Sequence, residues 1–373
     1  MKTSTAQHST AQHSTAQHRD SNLELYRILL MLAIIAHHYV VNSGLLPECI
    51  SREPTSGRSI FLLLFGAWGK MGINCFLMIT GYYMCQSQIS LKKFLKLVFE
   101  IEFYKIIIFI IFLTTGNTVI NLRTIRGLLP VSAIINDDFT SCFLVFFLFI
   151  PFLNLFIKKL TKNKYLLLLI FLLCFYTILP SLGISISFNY VTWFSIIYLI
   201  AAYIRLYPIP LFDNRNIWLV SSIFLIVASC LSVVFLAFVF KKGFWWFLRD
   251  SNKILSVATA ISLFLLFKNI KLKYNPIINT LAQSVFGVLL IHANSDAMRQ
   301  WLWVDTLRNT SIFGSPWLVL HAVGSVLGIY LICTAFDQVR IHLIEKPFFH
   351  HFADTIESMQ KAIIRFFETN MHI

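Results

Sequence analysis

Long apolar runs of one characteristic size alternate along the chain with short polar breaks. They fall at about residues 24–41, 60–85, 97–115, 139–157, 165–183, 190–207, 216–240, 253–267, 276–293 and 316–337. About 20 apolar residues in a helix span the ~30 Å hydrocarbon layer of a bilayer. Hydrocarbon leaves backbone N–H and C=O groups no partner but one another, so each run is read as a helix. The pattern therefore predicts an all-α, polytopic integral membrane protein with about ten transmembrane helices. No soluble domain fits between the runs.

Composition agrees: 57% of the 373 residues are hydrophobic and 13% are charged, and mean hydropathy is +0.72, values that exclude an ordinary soluble domain. The formal charge of +14 does not point to nucleic acid, because its cations are dispersed over short loops. Topology explains them instead. Lys92, Lys93 and Lys96, then Lys158, Lys159, Lys162 and Lys164, then Arg205 and Arg215, then Lys268, Lys271 and Lys273 mark alternate loops as cytoplasmic, with both termini on that side. The opposite loops carry fewer cations. One departs from the trend: Lys241 to Lys253, KKGFWWFLRDSNK, is basic on the outer face, so either the rule is locally overridden or the loop holds an anionic ligand. The tail, residues 351–373, spaces Phe352, Ile356, Met359, Ile363, Phe366 and Phe367 helically between charges, as an amphipathic interfacial helix does. Six of the seven cysteines fall in or at the ends of apolar runs, and neither a disulfide framework nor a metal-ligand spacing is visible.

The segment 1–21 is of another kind. Ser4 to His18 is three copies of STAQH, a low-complexity tract expected to be disordered. Its periodic histidines offer a metal nothing else pre-organised. STAQH can be encoded by an uninterrupted AGCAC pentanucleotide repeat, a tract that slips during replication. Gain or loss of a unit would shift the frame and make expression phase-variable.

The first apolar run, LELYRILLMLAIIAHHY, carries Arg27 near its start and His37 and His38 near its end. An ionisable group in hydrocarbon costs roughly 3 kcal/mol for arginine on insertion scales, so such residues line an interior or a wet cavity. Eleven residues of α-helix return within about 20° of the same face, so Arg27 and His38 share a face while His37 points about 100° away. A guanidinium at the mouth can grip phosphate, and an imidazole deeper in can take a proton from a hydroxyl. The competing reading pairs Arg27 with Glu24 and makes a histidine a cap. Lys70, beside Gly69 and Gly72, either neutralises an oxyanion or pairs with a carboxylate; Glu102 and Lys105 are placed to pair at i, i+3. His292 closes the ninth run and precedes ANSDAMRQWLW, which sets Asp296 and Arg299 on one outer face with Trp301 and Trp303 beside them. That mixture suits a sugar, or an interfacial belt.

Arg27 and His38 in YRILLMLAIIAHHY resemble the arginine, ten residues, histidine signature that opens the membrane-bound acyltransferase-3 family. GKMGINCFLMITGYYM at 69–84 is similar to the family's second helix, with Thr80 for the usual serine. SVFGVLLIH at 284–292 and RIHLIEKPF at 340–348 resemble late helices of bacterial polysaccharide O-acetyltransferases. The resemblance covers about Asn22 to Phe349 and defines a domain at 22–350. It implies transfer of an acyl group, usually acetyl, from cytoplasmic acetyl-CoA to a hydroxyl of a surface glycan or lipid-linked sugar, by a multi-pass protein of the bacterial inner membrane. No permanently bound cofactor is implied; acetyl-CoA is a co-substrate.

On the same resemblance Arg27 contacts the donor and His38 is the catalytic base or acyl relay. Lys92, Lys93 and Lys96 stand where the family often has arginines, and either attract CoA phosphates without arginine's planar fork or simply anchor the helix. Glu345 orders the last helix against a loop cation. His292, Asp296, Arg299 and Trp301 are candidates for the acceptor. The rival readings are a transporter or flippase of lipid-linked sugar, which would not need CoA, and a non-catalytic membrane subunit, which would tolerate loss of His38.

Overall fold

The structure is a computed structural model that describes residues 20–87, 90–131 and 138–371, so the STAQH tract lies outside the described residues. Among the described residues every regular element is helical. By length and apolarity six helices among the described residues qualify as membrane spans: Ser21–Val41, Gly57–Met84, Phe139–Lys158, Lys162–Ser181, Arg215–Phe240 and Leu318–His351. A seventh is formed if Pro276–His292 and Asp296–Ile312, which meet at 94°, count as one broken span. Tyr190–Leu206 and Ile254–Asn269 are apolar but shorter. Leu91–Thr114 is long, but its first turns carry Lys92, Lys93, Lys96, Glu100, Glu102 and Lys105. Every predicted run is thus helical, while fewer than the expected ten meet the requirements of a span outright; shortness and charge separate the rest. The polytopic membrane architecture stands.

The principal helices are α1 (Ser21–Val41), α2 (Gly57–Phe65), α3 (Gly69–Met84), α4 (Leu91–Thr114), α5 (Phe139–Lys158), α6 (Lys162–Leu173), α7 (Tyr190–Leu206), α8 (Arg215–Phe235), α9 (Ile254–Asn269), α10 (Pro276–Gln283), α11 (Val285–His292), α12 (Leu318–Arg340) and α13 (Ala353–Met371). Helix α1 begins at Ser21, with Asp20 at its N-cap. The run at 60–85 is broken at Gly66, the last run continues to His351 rather than ending near 337, and the predicted tail helix is α13, which touches α4.

Helix α1 is the hub, packing on α2, α3, α9, α10, α11 and α12. Its partnership with α10 and α11 sets the geometry of the site. At one end the Asn275 N–H donates to Ser21 Oγ at 2.9 Å, and Ser21 Oγ donates to Asn279 Oδ1 at 2.9 Å. At the other end His38 meets His292. The sequence separation is 254 for both the Ser21–Asn275 and the His38–His292 contacts, so the helices run parallel and in step. Beyond His292 the chain turns, and Asn309 in the second arm donates to the Tyr39 carbonyl at 3.0 Å, tying that arm to the end of α1.

Helices α4 and α12 are joined by a buried ion network. Arg340 bonds Asp337 at 2.8 Å, Glu100 at 3.0 Å and Glu345 at 2.5 Å; Lys96 bonds Glu345 at 3.0 Å, and Tyr104 donates to Asp337 at 2.7 Å. The widened π-type turn Ile341–Glu345 brings Glu345 back onto Arg340. A Cβ at Gly287 would overlap the Asp337 carboxylate, so glycine there lets α11 lie against the network.

Candidate active site

Helix α1 places Arg27 and His38 near opposite ends. Arg27 is 25% exposed and donates to Glu24 at 3.1 Å, the i, i+3 pair of the competing reading. Glu100 and Tyr330 lie within electrostatic reach of its guanidinium, which puts Arg27 at the end of the bundle where α1, α4 and α12 converge.

At the other end His38 Nδ1 lies 2.9 Å from His292 Nε2, with the rings 5.1 Å apart. His292 Nδ1 lies 2.6 Å from the Val288 carbonyl one turn back on α11. His292 has no exposed surface, and the Trp303 indole stands perpendicular to it at 6.4 Å. His38 is partly exposed. Among the described residues its Nε2 has no hydrogen-bond partner. Arg299 lies within electrostatic reach of both rings and Lys70 of His38.

His37 has a different task. Its Nδ1 donates at 2.6 Å to the Gly66 carbonyl, and the Trp245 indole donates at 2.9 Å to the Leu63 carbonyl. Both carbonyls belong to the end of α2, where intrahelical donors run out. A Cβ at Gly69 would overlap the His37 ring, so α3 can approach α1 only with glycine there. Gly69→Ala is expected to destabilise the fold by about 1–3 kcal/mol, as overpacking does. A lowered midpoint on heating the detergent-solubilised protein is the check.

The remaining candidates divide. Lys70 bonds no carboxylate among the described residues; its ammonium donates to Tyr190 Oη at 2.9 Å, against the expected ion pair. Lys92 and Lys93 are exposed, whereas Lys96 is committed to Glu345 and rests 5.3 Å over the Phe349 ring. Glu345 holds the helix cation Lys96 and Arg340 rather than a loop cation. Lys105 meets Glu102 at 3.6 Å. Arg299 pairs with the largely exposed Asp296 at 2.9 Å, and Trp301 is exposed beside Phe112. His292 stands apart from these surface groups, because both ring nitrogens are engaged inside the bundle. In the loop at Lys241–Lys253, Lys253 donates to the Pro180 carbonyl at 2.6 Å under the Trp246 ring.

Sequence reasoning did not single out Asp337, Arg340 or Glu100 as partners. The signal was charge at the start of one apolar run, for Glu100, and at the close of another, for Asp337 and Arg340, which names the residues without pairing them.

A family model described as an acyltransferase domain matches residues 20–337. The chain belongs to the membrane acyltransferase-3 family. The match takes in Arg27, His38, Lys70, Asp296, Arg299 and His292, while Arg340 and Glu345 lie just past it. No curated protein and no solved structure matches the chain. Family and helices together establish a multi-pass membrane acyltransferase.

Proposed function

We propose that this acyltransferase moves an acetyl group from cytoplasmic acetyl-CoA to a hydroxyl of a surface glycan or its lipid-linked precursor, in the bacterial inner membrane. The observation that carries the reading is a partly exposed His38, held by a hydrogen bond to the buried His292, on the same helix as Arg27 and about 16 Å of helical rise from it. Arg27 binds donor phosphate at the mouth. His38 accepts the proton of the acceptor hydroxyl as its oxygen attacks the thioester carbon; the C–S bond breaks, and the CoA thiolate takes the proton back. In a relay, His38 first carries the acetyl group itself. Lys70, near the pair and bonded to no carboxylate among the described residues, is suited to the developing oxyanion. Asp296, Arg299 and Trp301 offer an outer surface for the sugar. Lys92 and Lys93 are free to attract the donor's charge, a role Lys96 shares less because Glu345 holds it. The STAQH tract would switch expression by slippage; a gene whose synonymous codons interrupt the repeat removes that part of the proposal.

The test uses detergent-permeabilised membranes and [14C]acetyl-CoA, with label followed into glycan. Wild-type membranes are expected to transfer label and membranes lacking the chain are not; no transfer overturns the reading. Arg27→Ala is expected to raise KM for acetyl-CoA about 10- to 100-fold with little change in kcat, the loss of one charge-assisted contact. An unchanged KM removes Arg27 from the donor site.

A further inference from the structure

We infer that His292 is a positioning residue that keeps the proton of His38 on Nδ1 and leaves Nε2 as the reacting atom. The inference rests on His38 being the reacting group proposed above and assigns a role to a second histidine. The geometry runs in one direction. A backbone carbonyl can only accept, so the nitrogen 2.6 Å from the Val288 oxygen, His292 Nδ1, must carry a hydrogen. In a neutral imidazole the other nitrogen is then an acceptor. His292 Nε2 is therefore a lone pair, and the atom facing it at 2.9 Å, His38 Nδ1, must be the donor. That leaves His38 Nε2 unprotonated, on the one ring of the pair that is partly exposed.

The reverse arrangement needs a protonated His292 donating to His38. It would place a cation on a ring with no exposed surface that is bonded to a carbonyl and an imidazole rather than to a carboxylate. Such burial without a counter-charge opposes it.

The consequence falls on the transition state. As Nε2 takes the hydroxyl proton, His38 becomes an imidazolium whose Nδ1–H already points at an acceptor, and the bond strengthens as the charge forms. If acetyl is relayed instead, the same lone pair on Nε2 attacks the thioester carbon and the charge is held in the same way. Backbone anchoring makes the device rigid. The Val288 carbonyl belongs to the last turn of α11, and the chain leaves that helix at a 94° bend held against α1 by Asn309.

The comparison is between His292→Phe, which keeps a ring but removes the acceptor, and His292→Gln, whose amide oxygen can still accept from His38 Nδ1. Rates are read as [14C]acetyl incorporation against acetyl-CoA concentration, at equal amounts of folded protein. His292→Phe is expected to lower kcat about 100-fold with KM for acetyl-CoA unchanged, and His292→Gln to recover it to within about tenfold of wild type. If His292→Phe does not accumulate, His292→Leu takes its place. Equal activity in wild type and the acceptor-less variant overturns the inference. So does equal loss in both variants, which would mean that shape rather than the acceptor matters. Full activity in His38→Ala would instead overturn the underlying mechanism, a distinguishable result.

Discussion

His38→Ala is expected to erase the acetyl increment from surface glycans, with a fall in kcat of at least about 10²–10⁴-fold, the usual contribution of a positioned acid–base group. The loss should be confined to chemistry. His38 is partly exposed and among the described residues its side chain hydrogen-bonds His292, so truncation removes that bond and its ring contacts from a helix held elsewhere by Ser21, Asn22 and the Tyr39 carbonyl. The variant should therefore reach the membrane in normal amounts and bind acetyl-CoA with unchanged affinity, because Arg27 is untouched at the far end of α1. Mass spectrometry of glycans from cells matched for membrane level is the measurement. Retention of the increment would make His38 structural and transfer the chemistry elsewhere.

Arg340→Leu carries the second large effect, on the fold. The Arg340 side chain is 2% exposed and holds three carboxylates, of which Asp337 has no exposed side-chain surface. Its removal leaves Asp337 and Glu100 without a cation bonded to them in the described network, while Glu345 keeps Lys96. Stripping one partner from a buried ion pair costs about 3–5 kcal/mol, because the uncompensated charge remains in a medium that cannot solvate it. Folded proteins have a margin of only about 5–15 kcal/mol. The variant is thus expected to accumulate poorly and to lose its thermal midpoint in detergent. Arg340→Lys keeps a charge but cannot fork to three acceptors, so an intermediate result is expected. An unchanged midpoint in Arg340→Leu would show that α4 and α12 are held by apolar packing alone.

The two results separate by readout. His38→Ala leaves folded protein that does not transfer; Arg340→Leu removes folded protein. The distinction matters because both residues are ionisable groups within apolar runs, and a sequence presents them alike.

What was legible in the chain was what depends on near neighbours. Runs of apolar residues specify membrane helices because a helix satisfies its own backbone in hydrocarbon. A period of 3.6 residues puts Arg27 and His38 on one face and turns His37 away. Pairs at i, i+3, Arg27 with Glu24, Arg299 with Asp296 and Lys105 with Glu102, formed as helical spacing dictates. Local charge density was a poorer guide where a distant partner competes. Lys70 bonds Tyr190, 120 positions away, and Lys96 bonds Glu345, 249 positions away.

The residues that finish the site are of this second kind. His292 reads as the polar end of an apolar run, and the spacing of its own helix cannot say that His38 lies against it. Arg340 likewise finds Glu100 across 240 positions. Sequence by itself determined that the chain is a bundle of membrane helices and which helix carries an arginine and a histidine on one face. Only the tertiary structure decided that α1 lies in step with α10 and α11, that His292 thereby meets His38, and which carboxylates share Arg340. The physical reason is that helix periodicity is set by backbone geometry within a few residues, whereas register between helices is set by packing and by hydrogen bonds that join segments far apart in the chain.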